Sequence, residues 1–368
     1  MNHLQGSFSL RRRANAFGFL VFCIVLPFLS SRQAAVAAAA RLERTNLLVY
    51  LDDKGELHPI DSPARWLKRR ASILEAMQKV MGPMPGPAKR CPLDVRIIEE
   101  TDGGDYVRRS INYLSEPGSY VPAYLLIPKA ILGTGAKAPA VLALHQTHRD
   151  GYKVVVGLGG STNDEYGVEL ARRGYVVLAP AYPQLANYSP DLAALGYESG
   201  TMKAIWDNHR GLDLLESLPW VTTNGFGVIG HSLGGHNGIF TAVFDERIKV
   251  VVSSCGFDSF VDYMDGNIKG WTQGRYMPKL RDYSLAELPF DFHELIGALA
   301  PRVCFISAPL GDTNFKWRSV DGVVTAARPV YQLHRAPRNL MVEHPDCGHL
   351  FPMEMRGKAY RLFDENLK

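Results

Sequence analysis

Beyond Gly135 the chain alternates continuous apolar runs with segments of helical period, and this alternation leaves few folds open. The runs are Ala138 to Leu144, Tyr175 to Ala179, Gly225 to Gly230, Ile248 to Ser253, Val303 to Ala308 and Leu340 to Glu343. Helical patterns lie between them at Glu165 to Arg173, Thr201 to Leu218, Gly234 to Val243 and Val320 to Leu333, and a last helix begins near Glu354. A strand that is apolar on both sides needs cover on both sides, and parallel neighbours need a crossover long enough to hold a helix. The pattern therefore predicts an α/β fold with a mostly parallel sheet and helices on both faces.

Upstream the texture changes. From Leu93 to Pro128, short stretches such as Val95-Arg96-Ile97-Ile98 and Ala123 to Pro128 are separated by turn residues, which predicts antiparallel strands at one side of the same sheet. Before them, Trp66, Ile73, Leu74, Met77 and Val80 recur at helical spacing after Pro63, and the run Gly82 to Pro87 ends that helix. The boundaries expected are a helical extension over 38–92 and a domain built on the sheet over 93–368.

At the N-terminus, Arg11, Arg12 and Arg13 precede the apolar run Phe17 to Leu29, and the small-residue tract Ala34 to Ala40 follows. That order predicts a signal peptide over 1–37, cut after Ala35-Val36-Ala37, with the product periplasmic or extracellular. An uncleaved anchor is the alternative. Phe22 before Cys23 argues against lipidation, and the residues after the arginine pair depart from a twin-arginine signal, so the export route stays open.

Removing residues 1–37 takes away four arginines and no acid, which brings the formal charge from +4 to zero. A neutral chain offers no basic surface for nucleic acid or an anionic membrane, and neither is expected as a partner. Cys91, Cys255, Cys304 and Cys347 remain, without Cys-x-x-Cys spacing, so free thiols and disulfides stay equally open. Oligomeric state is not legible.

One segment interrupts the rhythm. Residues 255–299 carry Phe257, Phe260, Tyr263, Trp271, Tyr276, Phe290 and Phe292 among scattered Gly and Pro. Such an insertion either caps a pocket or fills a small core of its own.

The chemistry centres on Gly230-His231-Ser232-Leu233-Gly234, a G-x-S-x-G motif. The apolar run Phe226 to Ile229 leads in and a helix-compatible stretch leads out, the strand, tight turn and helix that a nucleophile elbow requires. Glycines two residues either side of Ser232 let a strained turn pass close to its neighbours. A serine hydroxyl is a poor nucleophile at neutral pH, so a base must follow.

Five of the eleven histidines follow Ser232. His236 is on the elbow's own helix, His293 in the insertion, His334 at a helix end and His344 on or beside the last strand. His349, in the turn Asp346 to Pro352 after that strand, is the base expected. Asp312, directly after the run Val303 to Ala308, is the acid expected to orient it, with Asp258 and Asp346 as rivals.

Acyl transfer also needs donors for an oxyanion. The backbone N–H of Leu233 at the helix start is one, and the loop His145-Gln146-Thr147-His148 supplies the other from Gln146 or Thr147. His145, His148 and Asp150 match no dedicated zinc spacing, so neither metal nor cofactor is implied.

With these motifs in place the chain resembles the dienelactone hydrolase-like branch of the α/β-hydrolase superfamily, related to bacterial acetyl xylan esterase-like proteins. The resemblance rests on Tyr120 to Pro128, Leu144-His145-Gln146-Thr147, Arg172-Arg173-Gly174-Tyr175-Val176-Val177, the Ser232 elbow, and the Asp312 and His349 turns. It implies an α/β-hydrolase fold with an eight-stranded sheet and hydrolysis of an ester-like bond without a cofactor. Ser232 stands where true dienelactone hydrolases carry cysteine, which argues against that lactone.

The function expected is a carboxylic ester hydrolase acting through an acyl-enzyme, with a small-molecule or acylated-carbohydrate ester as substrate. A serine peptidase of the oligopeptidase type is the first alternative, although about ninety residues before the strands are too few for a propeller. A non-catalytic binding protein on the same fold is the second.

Overall fold

The computed structural model describes residues 41–368, and the expected signal segment over 1–37 lies outside the described residues. A short hairpin comes first, β1 (Val49–Leu51) with β2 (Leu57–Pro59). Helix α1 (Pro63–Met81) follows, started by a Ser62 side chain that accepts from Arg65 N–H and by Pro63 in the first turn. Gly82, at φ 88°, ends it in a conformation that favours glycine.

The apolar stripe of α1 is buried: Trp66, Ile73, Met77 and Val80 are each at most 2% exposed. At roughly 1.5–3 kcal/mol for each large apolar side chain removed from water, this face anchors the helix to the body. Its polar side is anchored as well, since Arg69 pairs with Glu294 at 3.4 Å and Arg70 donates to Val243 O at 2.8 Å. Arg41 to Lys368 accordingly forms one compact unit.

The main sheet begins with β3 (Arg96–Asp102), β4 (Tyr106–Glu116) and β5 (Ser119–Pro128), and continues with β6 (Ala138–Leu144). Helix α2 (Tyr166–Arg172) leads to β7 (Val176–Pro180), and α3 (Gly200–Ser217) leads to β8 (Val221–His231). Then come α4 (Leu233–Phe244), β9 (Ile248–Ser254), α5 (Phe292–Ala298) and β10 (Val303–Ser307). The chain closes with α6 (Trp317–Leu333), β11 (Leu340–Glu343) and α7 (Met353–Leu367).

The order across the sheet is β11-β10-β9-β8-β6-β7-β5-β4-β3. The pairs from β7 through β6 to β11 are parallel, and β3, β4, β5 and β7 pair antiparallel. Every residue of β6 and β7 is buried, as doubly covered strands must be.

The sheet has nine strands, not the eight expected. The additional one is in the antiparallel part, where β4 reads YVRRSINYLSE. Arg108 and Arg109 interrupt its alternation because long side chains half-bury their stems, and Arg109 pairs with Glu100 of β3 at 2.7 Å.

The parallel strands aim their C-terminal ends at one edge, where the β6, β8, β9, β10 and β11 loops gather. In such sheets ligands bind at this edge. Insertion 255–299 folds mostly as short turns beside it. Phe257, Phe260, Phe290 and Phe292 are buried in the main core, whereas Tyr263, Trp271 and Tyr276 face the loop edge.

Among the described residues no helix is long and apolar enough to cross a membrane. The four described cysteines are free thiols.

Candidate active site

Ser232 joins β8 to α4 at φ 52°, ψ −118°, a left-handed conformation that side chains rarely adopt. The strain is held by packing. A Cβ at Gly234 would overlap the Leu144 carbonyl oxygen, and one at Gly230 would overlap the Gly234 backbone. Ser232 N–H is itself engaged, donating to Ser254 O at 2.8 Å. The turn thus lifts the hydroxyl above the sheet edge at the head of α4, whose first N–H groups have no intrahelical partner.

Asp312 and His349 meet because β10 and β11 are parallel neighbours, with Ser307 beside Glu343. Past the strands the backbone bonding continues, Leu310 N–H to Pro345 O at 3.0 Å and Gly311 N–H to Cys347 O at 3.0 Å. This brings His349 Nδ1 within 2.9 Å of Asp312 Oδ2 and 3.0 Å of Oδ1. The imidazole is then oriented with Nε2 directed away from the acid, and it is partly open to solvent while the Asp312 side chain is 1% exposed.

Burial alone would raise the Asp312 carboxyl. Hydrogen bonds from His349 and from the N–H groups of Asn314 (2.8 Å) and Phe315 (3.2 Å) outweigh it and hold the group below the ordinary carboxylate value. The rivals sit elsewhere. Asp258 is buried and accepts from Lys316 N–H at 3.0 Å, and burial pushes it up to about 7. Asp346 is exposed.

Ser232 opens on a cleft of about 90 Å³ with Thr147, Leu233, His236, Trp271 and Tyr276 among its walls. No hydrogen bond within 3.5 Å joins its hydroxyl to His349 among the described residues; such contacts often tighten only around substrate. The two are neighbours through His231, whose ring centroid lies 4.9 Å from that of His349. A larger hollow of about 380 Å³, beside Arg41, Arg44 and His293, holds none of the three residues.

In the β6 loop, His145 is buried between two backbone groups. Its Nε2 accepts from Tyr182 N–H at 3.0 Å, so the proton is on Nδ1, which donates to Gln146 O at 2.7 Å. Burial pushes the ring down to about 4, keeping it neutral. Fixing the Gln146 carbonyl fixes the whole peptide plane, and in a trans peptide the Thr147 N–H points opposite to that carbonyl. Thr147 lines the cleft, and its hydroxyl lies 3.3 Å from that of Tyr276.

Both ring nitrogens of His145 are therefore occupied by backbone, which turns it away from a shared site with His148 and Asp150. Ligand-capable atoms of Cys255, Asp312 and His349 do lie within 4.8 Å of one another. Two of these are the acid and imidazole already paired, and burial holds the Cys255 thiol far above its usual range.

Sequence reasoning missed the positioning role of His145 and the presence of His236, Asn314 and Phe315 in the site. For Asn314 and Phe315 the signal was available, because an aspartate commonly caps the N–H groups two and three residues on. His236 carried none beyond its place one turn into α4.

A parallel sheet covered on both faces, a strained serine between strand and helix, and an acid and histidine on later loops are the arrangement of the α/β-hydrolase fold, and the chain has that fold. No protein-family model matches it. The chain is similar to YtaP of Bacillus subtilis, named provisionally as a hydrolase, at 24% identity over 308 residues covering 80% of this chain and 99% of that one. It is also similar to a 4-O-methyl-glucuronoyl methylesterase of Phanerochaete carnosa, 26% identical over 190 residues, where it spans 45% of the relative's length and 44% of its own. Among solved structures, a glucuronoyl esterase from Solibacter usitatus superposes with a TM-score of 0.68 at 18% identity, over 88% of this chain and 97% of that one.

Proposed function

We propose that this protein is an exported serine hydrolase that cleaves a carboxylic ester of a carbohydrate. Ser232 is the nucleophile, His349 the base and Asp312 the acid that orients it. Leu233 N–H and Thr147 N–H bind the oxyanion. The observation that carries the reading is the strained Ser232 elbow opening on a cleft beside the Asp312–His349 pair. The carbohydrate esters in the names of two similar proteins support the substrate class.

In this scheme Ser232 Oγ attacks the ester carbonyl as its proton passes to His349 Nε2. Ionised Asp312 stabilises the imidazolium. The tetrahedral oxyanion is held by the two N–H groups and favoured by the positive end of α4, and collapse expels the alcohol with the proton from His349. Water then enters, gives a proton to His349 and attacks the acyl-enzyme, and His349 returns that proton to Ser232 Oγ as the carboxylic acid leaves.

A panel of short acyl esters, acetylated and methyl-esterified sugars and peptide amides tests the reading, with Ser232→Ala as control. Ester turnover is expected, reduced at least about 10⁴-fold by the substitution. Turnover that survives Ser232→Ala sinks the mechanism. Peptide cleavage without ester cleavage replaces it with a peptidase, and no turnover replaces it with a binding protein. N-terminal sequencing of the exported product tests cleavage after Ala37.

A further inference from the structure

A hollow of about 450 Å³, walled by Gln184, Leu192, Gln273, Gly274 and Arg275, has no part in the scheme above. It adjoins the Ser232 cleft through Tyr276, the residue after Arg275. Tyr276 lines that cleft, its hydroxyl lies 3.3 Å from that of Thr147, and the Arg275 guanidinium sits over its ring, 5.4 Å from the centroid.

Other cations of this segment are matched. Lys279 pairs with Glu198 at 2.5 Å, and Arg281 donates to the carbonyls of Pro278 and Thr272 at 2.9 and 2.8 Å. Arg275 is not: among the described residues no carboxylate pairs with it, and its one side-chain hydrogen bond runs from Nη2 to Gln273 Oε1 at 2.6 Å. Its Nε is enclosed, but the residue is part exposed and Nη1, which has no partner, is not among the enclosed atoms. Because arginine only donates, Gln273 turns its oxygen to the guanidinium, which leaves the Gln273 NH2 group as a second donor on the same wall. No acid lines the hollow. Positive charge and free donors without an acid complement an anionic oxygen.

The arginine is also held before any ligand arrives. Tyr182 O–H donates to Arg275 O at 2.8 Å, Gly200 N–H to Gly274 O at 3.0 Å and Thr201 N–H to Tyr276 O at 3.3 Å. A Cβ at residue 200 would lie 2.3 Å from Arg275 O, so Gly200 permits this docking onto the start of α3. A group fixed in advance loses little freedom on binding.

We propose that the hollow is a second sugar subsite, in which Arg275 Nη1 and the Gln273 amide take an anionic group, a uronate carboxylate or a sulfate ester, on the carbohydrate beyond the esterified unit. This rests on the esterase reading and adds the charge of the substrate. The competing outcome is that Arg275 only braces the Tyr276 ring.

The test uses the Ser232→Ala protein, so that binding does not depend on turnover. Methyl β-glucopyranoside, methyl β-glucuronopyranoside and the sulfate ester of the glucoside are titrated by calorimetry at low salt. An anionic sugar is expected to bind about five- to tenfold tighter than the neutral one, with the preference shrinking as salt is added, because the contact is partly open to solvent. Preference for the uronide alone assigns a carboxylate, and preference for the sulfate ester alone assigns a sulfate. Arg275→Gln in the same background is expected to erase the preference. Arg275→Lys, which keeps the charge without the planar fork, is expected to retain part of it and provides a second readout should the first variant fail to fold. No binding, equal affinity for all three sugars, a preference that survives Arg275→Gln, or equal losses for all three in that variant overturns the proposal. Wild-type ester turnover without an anion preference defeats this proposal alone. An anion preference without any ester turnover defeats the esterase reading alone.

Discussion

His349 and Asp312, 37 residues apart, meet in a forked contact in which one imidazole nitrogen faces both carboxylate oxygens, at 2.9 and 3.0 Å. The contact reports a tautomer: Asp312 accepts a hydrogen bond from Nδ1–H, which leaves the lone pair on Nε2.

Asp312→Asn removes that preference without changing size. Its amide donates as readily as it accepts, and the wrong tautomer lowers kcat by about 10³- to 10⁴-fold on a short-chain ester. Stability shows the same contact from another side. The folded-state carboxyl lies below its unfolded value, so its stabilisation is present above about pH 4 and lost as pH falls through the depressed folded value. The stability difference between wild type and variant, followed by urea unfolding, should therefore shrink on acidification below pH 4.

His145 should behave as a positioning residue. His145→Phe frees the Gln146 carbonyl and, with it, the Thr147 N–H. A drop in kcat of about 10–100-fold with little change in KM is expected from a misaligned oxyanion donor. A rise in KM with kcat intact would assign the loop to substrate binding instead.

Asp258 offers a pH test of opposite sign. Its folded-state value, raised to about 7 by burial, means that stability is lost as pH rises from about 4 toward 7. Asp258→Asn keeps an acceptor for Lys316 N–H and carries no charge. It should be more stable than wild type by roughly 2–4 kcal/mol at pH 8, with the gain vanishing below about pH 4. Equal stability of the two proteins at pH 8 would contradict this.

Two glycines should respond oppositely to a methyl group. Gly234→Ala forces a collision with the Leu144 backbone and should cost at least about 3 kcal/mol or prevent folding. Gly322 is exposed inside α6 with nothing within 4 Å of an added Cβ. Gly322→Ala should stabilise by about 0.5–1 kcal/mol, read from thermal unfolding, because alanine loses less backbone entropy in a helix.

The amino-acid sequence by itself determined the parallel part of the sheet and the Ser232 elbow. Both are local matters: a doubly buried strand must be apolar throughout, as Ala138 to Leu144 is, and a turn at φ 52° must have glycines where its neighbours crowd it. It left the ninth strand unread, since β4 sits in the antiparallel part with its alternation blurred by half-buried arginines. It favoured Asp312 over two rival aspartates as the partner of His349 and left two residues open for the second oxyanion donor. Only the tertiary structure brings one aspartate to His349, and it is what favours Thr147 as the proposed donor. Backbone bonds between the loops after β10 and β11 bring Asp312 to His349, while Asp258 caps a different segment and Asp346 faces solvent. His145, locked between two peptide groups, orients the Thr147 N–H. Such pairings depend on where separate loops leave a common sheet edge, and no local residue pattern encodes that convergence.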